Sequence, residues 1–148
     1  MKFGLAYFQP KHHENVGSGF RSAYTFGAKY LVTIGRRYRR QSTDTVDSCK
    51  HIPYYHFERF KDFKEYFKKL QWDIVAVELS NNAKKLTEFN HPIKAIYLMG
   101  NEVYGIHEKI MVECDHIVYI PTKEPISINV SCAANIVMWD RLSGKNYG

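Results

Sequence analysis

The sequence predicts an α/β fold built on a mainly parallel sheet, and three observations predict it. Apolar runs of strand length alternate with helical patterns along the whole chain. Two of the runs, Ile93–Met99 and His116–Ile120, read as buried strands. Each ends in a loop of small and polar residues: Gly100-Asn101-Glu102 after the first, Pro121 through Asn129 after the second. Such loops at strand ends are where open α/β sheets place their ligands.

Bulk properties fit that class. The chain has 148 residues, 45% hydrophobic and 24% charged, which suits a single domain from end to end. A chain of this size buries about 68–70% of its unfolded surface, so it needs no disulfide or metal staple. No apolar run approaches the ~18 residues of a membrane span. The N-terminal apolar stretch is short and aromatic, unlike a signal peptide. The chain therefore reads as soluble, intracellular and cytoplasmic, with no membrane partner. Cys49, Cys114 and Cys132 are odd in number and widely spaced, the pattern of reduced, partly buried thiols rather than of a disulfide framework or zinc site. The seven histidines show no metal-ligand spacing, so no metal is expected. The net charge of +6 points to a polyanionic partner, nucleic acid first.

In order along the chain, Lys2–Phe8 is a first strand closed by Gln9-Pro10. Asn15 is a favoured N-cap, and the helical pattern after it runs to Phe26 with Gly27 at C′. Gly17 and Gly19 lower helix propensity in its first turns. A chain accepts that where something must come close. The spacing is neither a dinucleotide fingerprint, since Ser22 stands where the third glycine belongs, nor a P-loop. Lys29–Ile34 is a second strand, ended by Gly35. Arg36, Arg37, Arg39 and Arg40 then surround Tyr38, a pattern suited to phosphate contacts and base stacking. A long polar segment follows, with a helix-start signal at Ser42-Thr43-Asp44. Glu58–Leu70 is an amphipathic helix with Phe60, Phe63, Phe67 and Leu70 on its core face. Asp73–Leu79 is a strand, Ala83–Phe89 a short helix, Ile93–Met99 the central strand, His107–Cys114 a short helix and His116–Ile120 the last strand. Asn129–Ser143 forms the final helix, with Val130, Ala133, Ala134, Val137 and Met138 on one side and Gly144 at its end.

The residues in the organising loops then carry a resemblance. Asn15-Val16-Gly17 with Arg21, Gly100-Asn101-Glu102 with Gly105-Ile106, and Ile120-Pro121 with Ser127-Ile128-Asn129-Val130-Ser131 resemble the three motifs of the SpoU (TrmH-like) RNA ribose 2′-O-methyltransferases of the SPOUT superfamily. The likeness covers nearly the whole chain in order and spacing. It departs at Val103-Tyr104, where the family has glycine, and at Thr122 and the segment to Ile126, which lacks one.

The resemblance implies helices on both faces of the sheet and a C-terminal deep trefoil knot. It implies a minimal domain without an N-terminal RNA-binding extension. It implies S-adenosylmethionine as cofactor, lined by Leu79, Gly100, Asn101, Ile120 and Ile128. It implies a homodimer in which Arg21 of one subunit faces the other's cofactor. It gives Arg21 the activating role, has Glu102 and Asn129 shape the site, has Ser127 and Ser131 hydrogen-bond in the knot, and has Asn15 hold the start of the Arg21 helix. The substrate would be RNA, tRNA ahead of rRNA, with the Arg36–Arg40 loop on its phosphates. A non-catalytic RNA-binding module on the same fold is the alternative that the Val103-Tyr104 departure motivates.

Overall fold

The computed structural model describes residues 1–143. Seven strands form one all-parallel sheet: β1 (Lys2–Phe8), β2 (Tyr30–Ile34), β3 (Tyr54–Phe57), β4 (Asp73–Val77), β5 (Lys84–Lys85), β6 (Lys94–Met99) and β7 (His116–Tyr119). Their order across the sheet is β3-β2-β1-β6-β4-β7-β5. The central β6 enters late in the chain, between β1 and β4, and every loop leaving a C-terminal strand end lies on one edge. Four α-helices cover the sheet: α1 (His13–Thr25), α2 (Phe60–Lys69), α3 (Glu108–Met111) and α4 (Val130–Leu142).

Alternation along each strand makes two cores. Leu5, Tyr7, Leu31, Val75 and Tyr97 pack beneath α1 and α4 with Phe20, Ala134, Val137 and Met138. Ala6, Phe8, Val32, Ile34, Ile74 and Ile96 face the other way, onto α2 and α3. The aromatic stripe of α2 packs there as its spacing predicts, with Phe60, Phe63 and Phe67 buried and Leu70 partly so. On the first face, Arg141 of α4 is 2% exposed. Its guanidinium donates to the Tyr97 hydroxyl and to the carbonyls of Lys2, Pro92 and Ile93. That pins the far end of α4 to the strand starts and leaves its N-terminus at the opposite, loop-bearing edge.

The structure corrects several local expectations. The Ser42-Thr43-Asp44 signal starts no α-helix. Asp44 folds its carboxylate onto the Ser48 N–H and hydroxyl instead, and only a 3₁₀ turn follows at Ser48–Lys50. Tyr54–Phe57, for which the sequence predicts no strand, is the edge strand β3. Ala83–Phe89 is not an α-helix but β5 followed by a 3₁₀ turn, Leu86–Glu88. The helix predicted over His107–Cys114 is shorter. The end assigned to Gly144 lies outside the described residues; within them α4 ends at Leu142. Cys49 and Cys114 are partly buried, whereas Cys132 is exposed. No helix among the described residues is long and apolar enough to cross a membrane.

Candidate functional site

The loop-bearing edge holds a cleft of about 1160 Å³ between the ends of β4, β6 and β7 and the start of α1. Its floor is the β6 loop. Asn101 and Gly105 exchange both backbone bonds, at 3.0 and 2.8 Å. The Asn101 side chain accepts from the N–H groups of Val103 and Tyr104 and donates to the Gln9 carbonyl. Asn101 thus sets the shape of the turn without a glycine at 103. Val103 and Tyr104 stand 58% and 75% exposed at its tip. A Cβ on Gly100 would lie 2.5 Å from the Gly105 carbonyl carbon, so the strand end tolerates no side chain there. Gly105 itself has φ +64°.

One wall is held by a residue that sequence reasoning did not single out. Glu78, just after β4, accepts the N–H groups of Ile106 and Leu79 at 3.1 and 2.9 Å. Its signal was a lone carboxylate interrupting an apolar strand pattern. Leu79 beside it is 74% exposed and lines the cleft together with Ile120, Ile126 and Ile128.

The other wall is a polar relay of three side chains. Asn129 caps α4, its oxygen accepting from the N–H groups of Ser131 and Cys132. Its NH₂ therefore points away and donates to the Asn15 oxygen at 3.1 Å. The Asn15 NH₂ in turn donates to Glu102 at 3.3 Å. Glu102 also accepts the N–H groups of Lys11 and His12 at 2.9 and 2.6 Å. Burial alone would raise the Glu102 pKa, but these donors outweigh it and hold the carboxyl below its ordinary range. So Asn15 is not the N-cap of α1. That position is His12, whose side chain makes no cap bond, and the Glu102 carboxylate fixes the approach to the helix by accepting the N–H groups of Lys11 and His12.

Beneath the relay, Ser131 bonds the Asn15 carbonyl and the hydroxyl of fully buried Tyr7. Burial pushes that phenol well above its usual range. This explains Gly19: a Cβ there would sit 1.9 Å from the Tyr7 hydroxyl oxygen. Gly17 faces Thr43 and Tyr38 in the same way. What comes close to both glycines is the protein itself.

The arginine loop docks on the start of α1. Thr43 donates to the Glu14 carbonyl, and Arg36 to the carbonyls of Pro10 and Lys11. Arg40 pairs with Asp47 at 3.6 Å. Arg37 and Arg39 are exposed, and their guanidinium groups make no bond among the described residues. Tyr38 does not stack with a ligand: it is buried edge-on to Phe20 and donates to Asp44. Burial first, then Arg36 and Arg39, depress the His13 pKa, a local sign of the positive field.

Of the residues singled out by sequence, Leu79, Gly100, Asn101, Ile120, Ile128, Asn15, Glu102, Ser127 and Asn129 all line this one cleft. Ser127 is exposed, and its hydroxyl makes no bond among the described residues. Arg21 is not in the cleft of its own chain; it is exposed on α1.

A parallel sheet with a ligand cleft at its C-terminal edge, walled by glycines, aliphatic side chains and helix starts, defines an α/β domain of the cofactor-binding kind. The chain belongs to the SpoU rRNA methylase family, whose pattern it matches over residues 2–139. Proteins of this family are RNA methyltransferases that draw on S-adenosylmethionine. An uncharacterized tRNA/rRNA methyltransferase of Archaeoglobus fulgidus is 29% identical over 138 residues, 90% of this chain. The chain spans 60% of that relative's length. The SpoU methyltransferase AviRb of Streptomyces viridochromogenes, solved with AdoMet, superposes with a TM-score of 0.87 at 20% identity, over 99% of this chain and 62% of its own. A structure described as giving insight into 2-OH methylation of C/U34 on tRNA superposes with a TM-score of 0.80 at 21% identity, covering 97% of both chains.

Proposed function

We propose that the chain transfers a methyl group from S-adenosylmethionine to a ribose 2′-hydroxyl of RNA, most readily tRNA. The observation that carries this reading is the convergence of all three motifs, Arg21 excepted, on a single cleft at the strand ends. The cleft fits the cofactor. Gly100 lets the Gly105 backbone close tightly over the strand end as a floor, exposed Leu79 with Ile120 and Ile128 offers apolar surface to a flat ring, and the loop backbone supplies polar edges. When bound, the cofactor supplies an electrophilic methyl carbon. The chain from β6 to α4 would wrap it as a trefoil knot.

What the protein adds is position and charge. The ribose hydroxyl must lie in line with the methyl carbon, which orientation alone favours strongly. Arg21 of a second subunit would approach the cleft and hold the hydroxyl and its neighbouring phosphate, since a guanidinium keeps its proton but binds oxygen well. The Asn129–Asn15–Glu102 relay fixes the wall against which the nucleotide rests. Exposed Arg37 and Arg39 would take flanking phosphates. A tRNA substrate is supported by the match of the whole chain to a tRNA 2-OH methylation structure of equal extent.

Calorimetric titration with S-adenosylmethionine tests the cofactor, and transfer of labelled methyl to tRNA and rRNA tests the substrate. The expected results are one site per chain, lost in Leu79→Arg, and label recovered in alkali-resistant dinucleotides of tRNA. RNA binding without cofactor binding would instead identify a non-catalytic RNA-binding module on this fold.

A further inference from the structure

We propose that His12 accepts the proton that the ribose hydroxyl loses as it is methylated. The inference rests on the proposed function and fills a gap in it. As the new O–CH₃ bond forms, the S–CH₃ bond breaks and its electron pair stays on sulfur as a neutral thioether, so the hydroxyl proton must go to a base. Arg21 carries its proton throughout. Among the described residues lining the cleft, the carboxylates and imidazoles are Glu78, Glu102, Glu124 and His12. Both oxygens of Glu78 already accept backbone N–H groups. Glu102 accepts three donors and is thereby a weakened base. Glu124 is an exposed carboxylate on the outer loop, a class of base far weaker than the hydroxyl requires near neutral pH.

His12 differs from all three. It is the only imidazole lining the cleft among the described residues, and imidazole is the side chain suited to exchange protons near neutral pH. Its backbone is fixed: the N–H bonds Glu102 at 2.6 Å, and the carbonyl accepts the Asn15 N–H at 3.2 Å. Its ring is exposed and makes no hydrogen bond among the described residues. Lys11, His13 and Glu14 flank it on its own segment. Arg36 reaches Lys11 and Arg39 lies against His13 from the arginine loop. Lys123 and Glu124 share the cleft from the loop before α4.

The test uses His12→Asn, because asparagine is a favoured N-cap and preserves the helix start. Wild type, His12→Asn and Glu124→Gln are compared for methyl transfer from S-adenosylmethionine to total tRNA from cells lacking this protein, from pH 5 to 9. His12→Asn is expected to bind the cofactor as wild type does. Its kcat should fall about 10²-fold or more at neutral pH, with the acid limb of the wild-type profile gone. In the complex with S-adenosylhomocysteine, the His12 ring ¹⁵N signals should shift on addition of that tRNA. Transfer within threefold of wild type, an acid limb that survives His12→Asn or vanishes in Glu124→Gln, or His12 signals unmoved by tRNA would each overturn the assignment. A wild type that methylates no RNA at all overturns the proposed function itself, and is distinguished by that result.

Discussion

At the scale of single residues the cleft is governed by Glu102, to which the resemblance gives the shaping of the site. Glu102 holds the start of α1, from the Lys11 and His12 amides to the Asn15 side chain, and those bonds exist only for the ionised form at full strength. Its folded pKa is lowered from 4.5, so its contribution to stability is complete above the unfolded value. It is lost as pH falls through the lower, folded one. Wild type should therefore lose stability more steeply than Glu102→Gln as pH falls below the unfolded value. Urea midpoints across that range measure the difference. Two curves that stay parallel would show the carboxylate to be unlinked to folding. At neutral pH the substitution should cost about 1–2 kcal/mol, because charged acceptors of backbone N–H groups contribute more than neutral ones.

Elements come next, and here the arginine loop divides into two pairs. Arg36 and Arg40 are bound within the protein, to the turn before α1 and to Asp47. All four are exposed, but Arg37 and Arg39 are the ones whose guanidinium groups make no bond among the described residues. Replacing the second pair with alanine should weaken RNA binding and reduce the slope of log affinity against log salt by about 0.9 for each phosphate left unneutralised. Replacing Arg36 alone should leave that slope near wild type and loosen the α1 start, visible as faster amide exchange at Lys11 and His12. Filter binding at several salt concentrations separates the two. The sequence could not make this division, because four arginines around a tyrosine carry no sign of which are tied to the protein. It also mistook Tyr38 for a surface ring.

The same limit runs through the elements generally. Strands β1, β2, β4, β6 and β7 and helices α2 and α4 were legible because each packs on long-range partners through one strongly patterned face. Strand β3 was not, since four residues behind Pro53 carry too little pattern; its aromatic Tyr54-Tyr55-His56-Phe57 composition was the available sign. Asn15 satisfied every rule for an N-cap, yet the helix starts earlier, at His13, and the Asn15 side chain bridges Glu102, 87 residues away, and Asn129. Local propensity is a weak prior where a distant loop supplies the partner. The residues of the cleft were found through motif order, and the geometry then explained Gly17 and Gly19 as packing sites for Tyr38, Thr43 and Tyr7.

For the molecule as a whole, the one motif residue absent from the cleft is the informative one. Arg21 lies exposed on α1, which packs against α4, and α4 presents Ile136 and 61%-exposed Trp139 outward. An apolar stripe beside a stranded motif arginine is what a two-fold interface would cover, and covering it would carry each Arg21 toward the neighbouring cleft. Trp139→Glu should then turn a sedimenting dimer into monomers and abolish transfer while each monomer stays folded. A sharper experiment mixes two inactive variants, Arg21→Ala and the cofactor-blocked Leu79→Arg. If arginine acts across the interface, a mixed dimer joins an intact cleft from one chain to an intact Arg21 from the other. Random pairing should then restore about a quarter of the wild-type sites. If arginine acts within its own chain, no mixed dimer contains a complete site and the mixture stays inactive. The cleft would then have to recruit Arg21 by a movement of α1 against Tyr7 and Ser131, which the close fit of Gly19 on the Tyr7 hydroxyl makes structurally costly.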